Sequence, residues 1–367
     1  MSADLCNIQS IPATTFFRRL RNIEHQHPCV PLAGSMDWTR RCNLACRHCY
    51  IRHAGPDHDE MTTSQLTHVL DELARAGMFF IVVTGGDPLL RSDFKEVYLH
   101  ALAIGLIPTV FTNATLITPE LAGFLASHPP RRMEVSVYGH TRETYEFVTG
   151  VPGSFDRFRA GVSALLERGV LLRLKAMVMQ ANKHEFEDIK AWVKSLHCEF
   201  RYDAVIHPRL DGDHSPNKER LSASEAVSIQ VAEPSDRAEV EAYLTLVKDG
   251  LPPREQLFEC GAGVMTMHVD AAGQAHPCML WRNDPYNLLT SPLDERWFSH
   301  IEEIRNRPSP PGRCTSCGER GLCNYCPPLA SLEAGNPSAP TSYYCDLAAS
   351  RRRLAPAAIP AENNIPT

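Results

Sequence analysis

The chain has 367 residues, of which 43% are hydrophobic and 22% are charged, a composition that excludes a collagen-like, mucin-like or wholly disordered protein. Its 37 basic against 43 acidic residues give a net charge of -6, so no basic field favours a nucleic-acid partner. The longest apolar run, residues 101–111, is too short to span a membrane, and residues 1–10 hold no secretion signal. We therefore expect a cytoplasmic protein.

Short β-rich runs alternate with helical patterns from residue 34 to about residue 210, which predicts a parallel sheet covered by helices. Six strands are predicted, at 35–39, 79–84, 107–112, 133–138, 171–179 and 200–206. Helices are predicted between them, over 62–76, 92–104, 118–127, 154–167 and 185–196. Successive units of this kind turn in one direction, so we expect an α/β fold with a partial (β/α)6 barrel and its chemistry at the carboxyl ends of the strands.

Composition divides the chain into five parts. Residues 1–33 are an N-terminal extension and 34–210 are the barrel. The more polar segment 211–253 is expected to be a helical bridge, with helices over 222–231 and 235–249. Residues 254–350 hold seven cysteines and little periodic structure, which predicts a small loop-rich domain stabilised by metal. The tail 351–367, rich in Ala and Pro, is expected to be disordered.

Thirteen cysteines are many for a reducing cytoplasm, where metal binding or catalysis is the usual reason for such a number. Three of them, Cys42, Cys46 and Cys49, lie in one short loop directly after the first predicted strand and are followed by Tyr50. Three thiolates on a four-iron cluster leave one iron open to a substrate or cofactor. A zinc site would need a fourth ligand, and His48 and His53 are nearby.

The spacing C-x3-C-x2-C followed by an aromatic residue resembles the signature of the radical S-adenosylmethionine (radical SAM) superfamily. That resemblance implies that Cys42, Cys46 and Cys49 hold a [4Fe-4S] cluster whose open iron binds SAM, with Tyr50 near the adenine. One electron would then release a 5'-deoxyadenosyl radical. Gly85, Gly86, Asp87 and Pro88, after the second strand, resemble the Gly-Gly-Glu-Pro motif of the family, whose backbone meets the SAM amino group. Asp87 replaces the commoner Glu.

Polar residues at the ends of later strands are candidates for further contacts. Asn113, Ser136 and Lys175 are interpreted as cofactor contacts, with satisfied polar groups of the barrel interior as the alternative. His207, Arg209 and Asp211 follow the sixth strand and are candidates to meet substrate.

The C-terminal cysteines resemble the SPASM domain of radical SAM enzymes that mature peptides. The resemblance implies two auxiliary [4Fe-4S] clusters with interleaved ligands, Cys260, Cys278 and Cys326 for one and Cys314, Cys317, Cys323 and Cys345 for the other. The gap before Cys326 is two residues where the family usually has three. A zinc ribbon on Cys314, Cys317, Cys323 and Cys326 is the alternative, and it would leave three cysteines unused.

The resemblance implies a SAM-dependent enzyme that abstracts hydrogen from a ribosomally made precursor peptide. Oxidative crosslinking is the expected outcome, with epimerisation, side-chain dehydrogenation and decarboxylation as open alternatives. Modification of a tetrapyrrole side chain and sulfatase-type protein maturation are alternatives, and an iron–sulfur electron carrier or zinc scaffold is the alternative that is not an enzyme. Only 33 residues precede the barrel, too few for the leader-peptide recognition domain that the resemblance implies for many such enzymes, so we expect either a separate leader-peptide recognition protein or a substrate that needs none. A flavodoxin or ferredoxin is the expected reducing donor.

Overall fold

The computed structural model describes residues 31–51, 59–246 and 254–357 of the chain. Most of the predicted N-terminal extension, His53 and the end of the predicted helix over 235–249 lie outside the described residues. Within them, no helix has the length and apolar character needed to cross a membrane.

Six parallel strands form the core of a partial barrel, in the order β6-β5-β4-β3-β2-β1. All six predicted strands are confirmed with shifts of up to three residues at their ends, and their bounds are Ala33–Thr39 (β1), Phe80–Gly85 (β2), Ile107–Thr112 (β3), Arg132–Val137 (β4), Leu172–Met177 (β5) and Glu199–Asp203 (β6). Side chains alternate along each strand, as β5 shows: Leu172 and Leu174 are buried under the helices, whereas Lys175 points to the other face. That other face is the interior of the barrel.

Helices cover the outer face, and their bounds are Thr63–Arg75 (α1), Phe94–Ala103 (α2), Pro119–Ser127 (α3), Arg142–Thr149 (α4), Ser154–Glu167 (α5) and Phe186–Ser195 (α6). Thr62 begins α1 with a capping box that it forms with Gln65, and Thr118 caps α3, so the cap residues set these starting points. The sequence pattern did not predict α4. This helix has only eight residues, and Thr141 caps it.

The barrel sheet continues into the C-terminal third of the chain. Strand β7 (Thr266–Val269) pairs in parallel with β1, and β8 (Gln274–His276) and β9 (Tyr286–Asn287) follow antiparallel, so the sheet has nine strands. Met267 and Val269 of β7 and Trp297 of the next helix pack in the same core as the barrel helices. This hairpin lies within the segment predicted to be loop-rich, and its long-range pairing with β1 joins it to the barrel sheet, a contact that the sequence pattern did not predict.

A second core joins the bridge to the C-terminal helices. The helices outside the barrel are Ala223–Ala232 (α7), Pro234–Leu246 (α8), Glu295–Arg305 (α9), Arg320–Cys323 (α10), Pro327–Ala334 (α11) and Ser342–Ala357 (α12). Val227 packs with Tyr344 and Leu347 in this core. Arg351 on α12 is buried and donates a 2.9 Å hydrogen bond to the Gln230 amide oxygen. The prediction of a disordered tail is therefore wrong for residues 351–357, and residues 358–367 lie outside the described residues.

Candidate cluster and cofactor site

The loop after β1 brings three free thiols together. Two backbone hydrogen bonds connect this loop to the end of α4, from Ala45 N to Thr149 O (2.8 Å) and from Arg47 N to Val148 O (3.0 Å). Burial raises the pKa of the Cys42 thiol to about 11, and Asp87 and Cys49 add to the rise. Burial, then Cys49 and Cys42, raise the pKa of Cys46 further. The three cysteines therefore interact with one another, and a bound cation is what would favour their thiolates.

Two glycines at the end of β2 pack against the start of the cysteine loop. A Cβ on Gly85 would lie 2.1 Å from Thr39 O, and a Cβ on Gly86 would lie 2.0 Å from Arg41 O. Gly85 also has φ +123°, a conformation that favours glycine. Gly86 N donates to Thr39 O (2.8 Å) and Asp87 N to Arg41 O (2.9 Å). The motif that is predicted to meet the cofactor thus also fixes the backbone that leads into Cys42.

The side chain of Asp87 braces neighbouring backbone. The carboxylate is fully buried and accepts hydrogen bonds from Thr112 Oγ1 (2.8 Å), Asn113 N (2.9 Å) and Leu89 N (3.1 Å). Burial raises its pKa to about 6, and these hydrogen bonds oppose the rise. The carboxylate is therefore committed to the ends of β2 and β3, and any contact of this residue with a cofactor would come from its main chain.

Asn113 links the third strand to the cysteine loop. Its side-chain amide nitrogen donates to Asn43 Oδ1 at 2.9 Å and lies 3.8 Å from the sulfur of Cys42. Asn43 in turn donates to Thr115 Oγ1 at 2.7 Å. The structure thus places the predicted cofactor residue Asn113 beside the predicted cluster ligand Cys42.

The segment after β6 supports the other end of the loop. Arg209 Nε donates to Cys49 O at 3.2 Å, Leu210 N donates to Tyr50 O at 2.9 Å, and the rings of Tyr50 and His207 are 5.6 Å apart. Two of the residues predicted to meet substrate, His207 and Arg209, therefore contact the cysteine loop itself. Burial raises the pKa of Tyr50, so its phenol stays protonated.

Ser136 on β4 and Lys175 on β5 lie at paired positions of neighbouring strands, on the face of the sheet that lines the barrel interior. The ammonium of Lys175 lies 3.5 Å from Glu134 Oε2 and 3.1 Å from the centre of the Phe111 ring. Burial lowers the pKa of Lys175 to about 8, and Glu134 opposes the change. Lys175 thus has an ion-pair partner inside the barrel in this structure, and its contact with a cofactor stays a prediction.

A polar cluster that the sequence patterns did not predict lies on the opposite side of the interior. His268 on β7 is fully buried, with Nδ1 2.8 Å from Ser35 Oγ and Nε2 3.2 Å from Arg282 Nη2. Asp37 Oδ2 lies 3.4 Å from the same Nε2. Asp37 and Arg282 line a cavity of about 220 Å³ that also reaches Ile51, just after the cysteine loop. The signal that could have found it is Asp37, the one charged residue of β1, together with two histidines in the ten residues before Cys278.

The seven C-terminal cysteines fall into two interacting sets. In the first set, burial raises the pKa of Cys278 and Cys260 adds to the rise, and burial raises the pKa of Cys326 with Cys278 and Cys260 adding to it. In the second, burial raises the pKa of Cys314 and Cys345 and Cys317 add to the rise, and burial raises the pKa of Cys323 with Cys317, Cys314 and Cys345 adding to it. All four cysteines of the second set line one cavity of about 320 Å³. The sequence resemblance implied the same grouping, and the role of these cysteines as cluster ligands stays a prediction.

The grouping bears on the zinc alternative. Cys326 interacts with Cys260 and Cys278, whereas a ribbon would need it beside Cys314 and Cys317. Zinc would also bring four thiolates within about 4 Å of one another. Among the described residues, no three His, Cys, Asp or Glu side chains converge closely enough to hold a single ion. Iron–sulfur binding by these cysteines stays a prediction.

Comparison with known proteins identifies the barrel. Residues 36–193 match the family model of the radical SAM superfamily. The AdoMet-dependent heme synthase of Nitratidesulfovibrio vulgaris is 25% identical over 344 residues, covering 83% of this chain and 89% of the relative. The mycofactocin maturase MftC of Mycolicibacterium smegmatis is 27% identical over 306 residues, covering 80% of this chain and 77% of the relative.

A solved structure shares the fold over nearly the whole chain. Streptococcus suis SuiB bound to S-adenosylmethionine superposes with a TM-score of 0.66 at 15% identity, covering 94% of this chain and 83% of SuiB. SuiB has also been solved bound to its precursor peptide SuiA, with a TM-score of 0.64 at 16% identity and the same coverage. At this identity the likeness concerns the fold: a partial barrel with a C-terminal extension.

Proposed function

This chain is a radical SAM enzyme, and from that premise we propose that it cleaves SAM on a [4Fe-4S] cluster held by Cys42, Cys46 and Cys49 and modifies a ribosomally synthesised peptide. The observation that carries the proposal is the arrangement of free thiols. Three interact in one loop beside β1, and seven others fall into two separate sets. Three thiolates leave one iron of a four-iron cluster open, which is what SAM needs to coordinate.

When bound, the cluster supplies the electron that splits a carbon–sulfur bond of SAM. The residues of this chain position the cysteine loop and the turn after β2 around the site of that reaction. The side-chain amide of Asn113 donates a hydrogen bond to Asn43, next to Cys42, and this contact fixes the first part of the cysteine loop. Gly86 N and Asp87 N are already used by Thr39 O and Arg41 O. The groups left at this turn for the amino group of SAM are carbonyl oxygens, which are the acceptors that an ammonium requires.

We further infer that the two C-terminal sets hold auxiliary clusters that take up the electron left after an oxidative crosslink. The cavity lined by Cys314, Cys317, Cys323 and Cys345 supports the second of these clusters. Cys260, Cys278 and Cys326 would leave one iron of the first cluster without a cysteine ligand. A peptide substrate is supported by the likeness to MftC, a maturase, and to SuiB, whose structure with a precursor peptide is known. We place the reaction in the cytoplasm, with a reduced flavodoxin or ferredoxin as electron donor.

The first test is anaerobic reconstitution with iron and sulfide, followed by SAM and dithionite. We expect 5'-deoxyadenosine from the wild type and none from Cys42→Ala. Cys198→Ala is the control, because Cys198 is also a free thiol but lies outside the three sets. Equal 5'-deoxyadenosine from Cys42→Ala and Cys198→Ala would refute the cluster assignment.

Tetrapyrrole modification is the second candidate, favoured by the heme synthase relative that covers 83% of this chain. Incubating the reconstituted enzyme with SAM, dithionite and either the neighbouring-encoded precursor peptide or an iron tetrapyrrole separates the two. Peptide maturation predicts a mass change in the peptide only. A change in the tetrapyrrole alone would replace the peptide proposal.

A further inference from the structure

We propose that the hydroxyl of Tyr145 donates a hydrogen bond to a sulfur of the cluster held by Cys42, Cys46 and Cys49, and that this bond raises the reduction potential of the cluster. The inference rests on the proposed function, because it assumes a cluster on these three cysteines. It adds to that function a residue that sets how easily the cluster accepts an electron.

Tyr145 lies on the helix that packs against the cysteine loop. That helix is α4, and Thr149 near its end accepts a 2.8 Å backbone hydrogen bond from Ala45 of the loop. Residues four positions apart share one face of a helix, so Tyr145 and Thr149 lie on the same face. Both side chains are fully buried. The phenol of Tyr145 therefore extends from the face of α4 that contacts the loop.

Aromatic packing holds the ring of Tyr145 in place. The ring stacks on Phe158 with centres 4.7 Å apart, and it meets Phe155 at 5.7 Å and Tyr138 at 5.9 Å. These contacts leave little space for the ring to turn within a close-packed core. The position of the hydroxyl is thus set by the packing of the ring and not by hydrogen bonds of its own.

The hydroxyl of Tyr145 is buried without a partner. Within the described part of the chain, no group forms a hydrogen bond with this oxygen. A buried hydroxyl that lacks a partner costs free energy, and buried polar groups of native proteins nearly always have one. The orphaned oxygen therefore indicates a partner that the chain itself does not supply.

The ionisable groups around this hydroxyl belong to the cysteine loop and its brace. Burial raises the pKa of Tyr145 well above its usual value, and Cys46, Asp87 and Cys42 add to the rise. The phenol therefore keeps its proton and is a hydrogen-bond donor. The Asp87 carboxylate already accepts three hydrogen bonds at the ends of β2 and β3. The acceptors left on this side are the sulfurs of the loop and of a cluster that it binds.

The sign of the effect follows from charge. Reduction adds one electron, and with it one negative charge, to the cluster. A hydrogen-bond donor stabilises the more negative form more strongly, so it raises the potential. Tyr145 keeps its proton throughout, and no covalent bond forms or breaks. Removing the hydroxyl should therefore make the cluster harder to reduce.

The test is a redox titration of the holoenzyme, reconstituted under nitrogen. Dithionite and redox dyes set the potential, and electron paramagnetic resonance follows the reduced cluster, whose signal SAM changes and Cys42→Ala lacks. The variant is Tyr145→Phe, which removes only the hydroxyl. Tyr98→Phe is the matched control, because Tyr98 is also fully buried on a barrel helix, but its hydroxyl donates to His128 O at 2.8 Å. Burial alone raises the pKa of Tyr98, without a contribution from any cysteine.

A second measurement detects the hydrogen bond itself. Protein reconstituted in D2O carries a deuteron on the phenol, and electron–nuclear double resonance detects deuterons next to the reduced cluster. One such deuteron should be present in the wild type and in Tyr98→Phe and missing from Tyr145→Phe.

At the wild-type midpoint potential, Tyr145→Phe should hold about tenfold less reduced than oxidised cluster, which is a shift of about 59 mV to lower potential. This ratio is measured on loaded chains only, so partial loss of iron does not change it. Tyr98→Phe should stay within about twofold of the wild-type ratio.

Equal ratios in Tyr145→Phe and Tyr98→Phe, or the same deuteron signal in both, would overturn the inference, as would be seen if the hydroxyl were bonded to a buried water molecule. Complete loss of iron from Tyr145→Phe alone would also overturn it, because the hydroxyl would then serve assembly of the site. Failure of the proposed function looks different, as a wild type without iron or without 5'-deoxyadenosine.

Discussion

The carboxylate of Asp87 accepts a 2.9 Å hydrogen bond from the backbone N–H of Asn113. Through this contact the turn after β2 holds the end of β3, and the Asn113 side chain extends the connection to Asn43 and the sulfur of Cys42. A short acidic side chain thus links two strand ends to the cysteine loop. Its role here is positional, since its carboxylate oxygens accept from groups of the protein itself.

Replacing Asp87 by Ala should destabilise the fold by about 2–4 kcal/mol, because buried donors of Thr112, Asn113 and Leu89 would lose their acceptor. The measurement is chemical unfolding under nitrogen, with SAM affinity as a second readout that should weaken as Asn113 shifts. Asp71→Ala is the control, because Asp71 is exposed and pairs only at the surface with His100. A loss no larger than that of the control would contradict the bracing role.

Gly85→Ala should disturb the cysteine loop. Its Cβ would clash with Thr39 O and its φ of +123° is strained for alanine. Gly169→Ala separates the two effects, since Gly169 has φ +70° but no atom within 4 Å of the position that the added Cβ would take. We expect the control to lose about 1 kcal/mol of unfolding free energy and to keep its iron. Gly85→Ala should lose more unfolding free energy than Gly169→Ala and should also lose iron. Full iron binding by Gly85→Ala would show that the close packing is dispensable.

The two C-terminal sets make a prediction about additivity. Cys278→Ser and Cys326→Ser should each remove about four iron atoms per chain, and the double variant should remove no more than either alone. Cys326→Ser combined with Cys345→Ser should remove about eight, because these residues lie in different sets. Iron and zinc analysis with electron paramagnetic resonance gives the readout. Zinc in place of iron, or additive loss for Cys278 and Cys326, would contradict the grouping.

Lys175 should make stability depend on pH above neutrality. Burial lowers its pKa from 10.5 to about 8, so between these values the unfolded chain holds a proton that the folded chain has released. The free energy of unfolding contributed by this group therefore rises as pH increases from about 8 to 10.5. Lys175→Met should remove that rise, and Lys95→Met, at an exposed ion pair, should keep it. Identical pH slopes for wild type and Lys175→Met would show that the lysine is not desolvated.

Local patterns were enough to predict the barrel. The strands β1 to β6 lie where alternation of β-rich and helical runs placed them, and α5 has its predicted bounds. Caps such as Thr62 and Thr118 act within a few residues, which is why they can be recognised from the chain alone. Helix α4 was not predicted, because the eight residues between its capping residue and Gly150 are too few for a helical period of apolar residues to be recognised.

The candidate site also has one part that local sequence patterns predict and another part that they do not. The cysteine spacing and the two glycines are contiguous in sequence, so the loop and the turn can be predicted without knowledge of their contacts. The cluster of Ser35, Asp37, His268 and Arg282 joins residues more than 200 positions apart, and no local pattern connects them. Its existence follows from β7 pairing beside β1.

The amino-acid order by itself determined the alternating units, the cysteine loop and the number of thiols available, because short-range preferences and spacing decide these features. Tertiary structure alone decided that the C-terminal hairpin extends the barrel sheet and that residues 351–357 join a helix. It also decided that the buried hydroxyl of Tyr145 has no hydrogen-bond partner among the described residues. Such contacts depend on which distant surfaces bury each other, and that is a property of the whole folded chain.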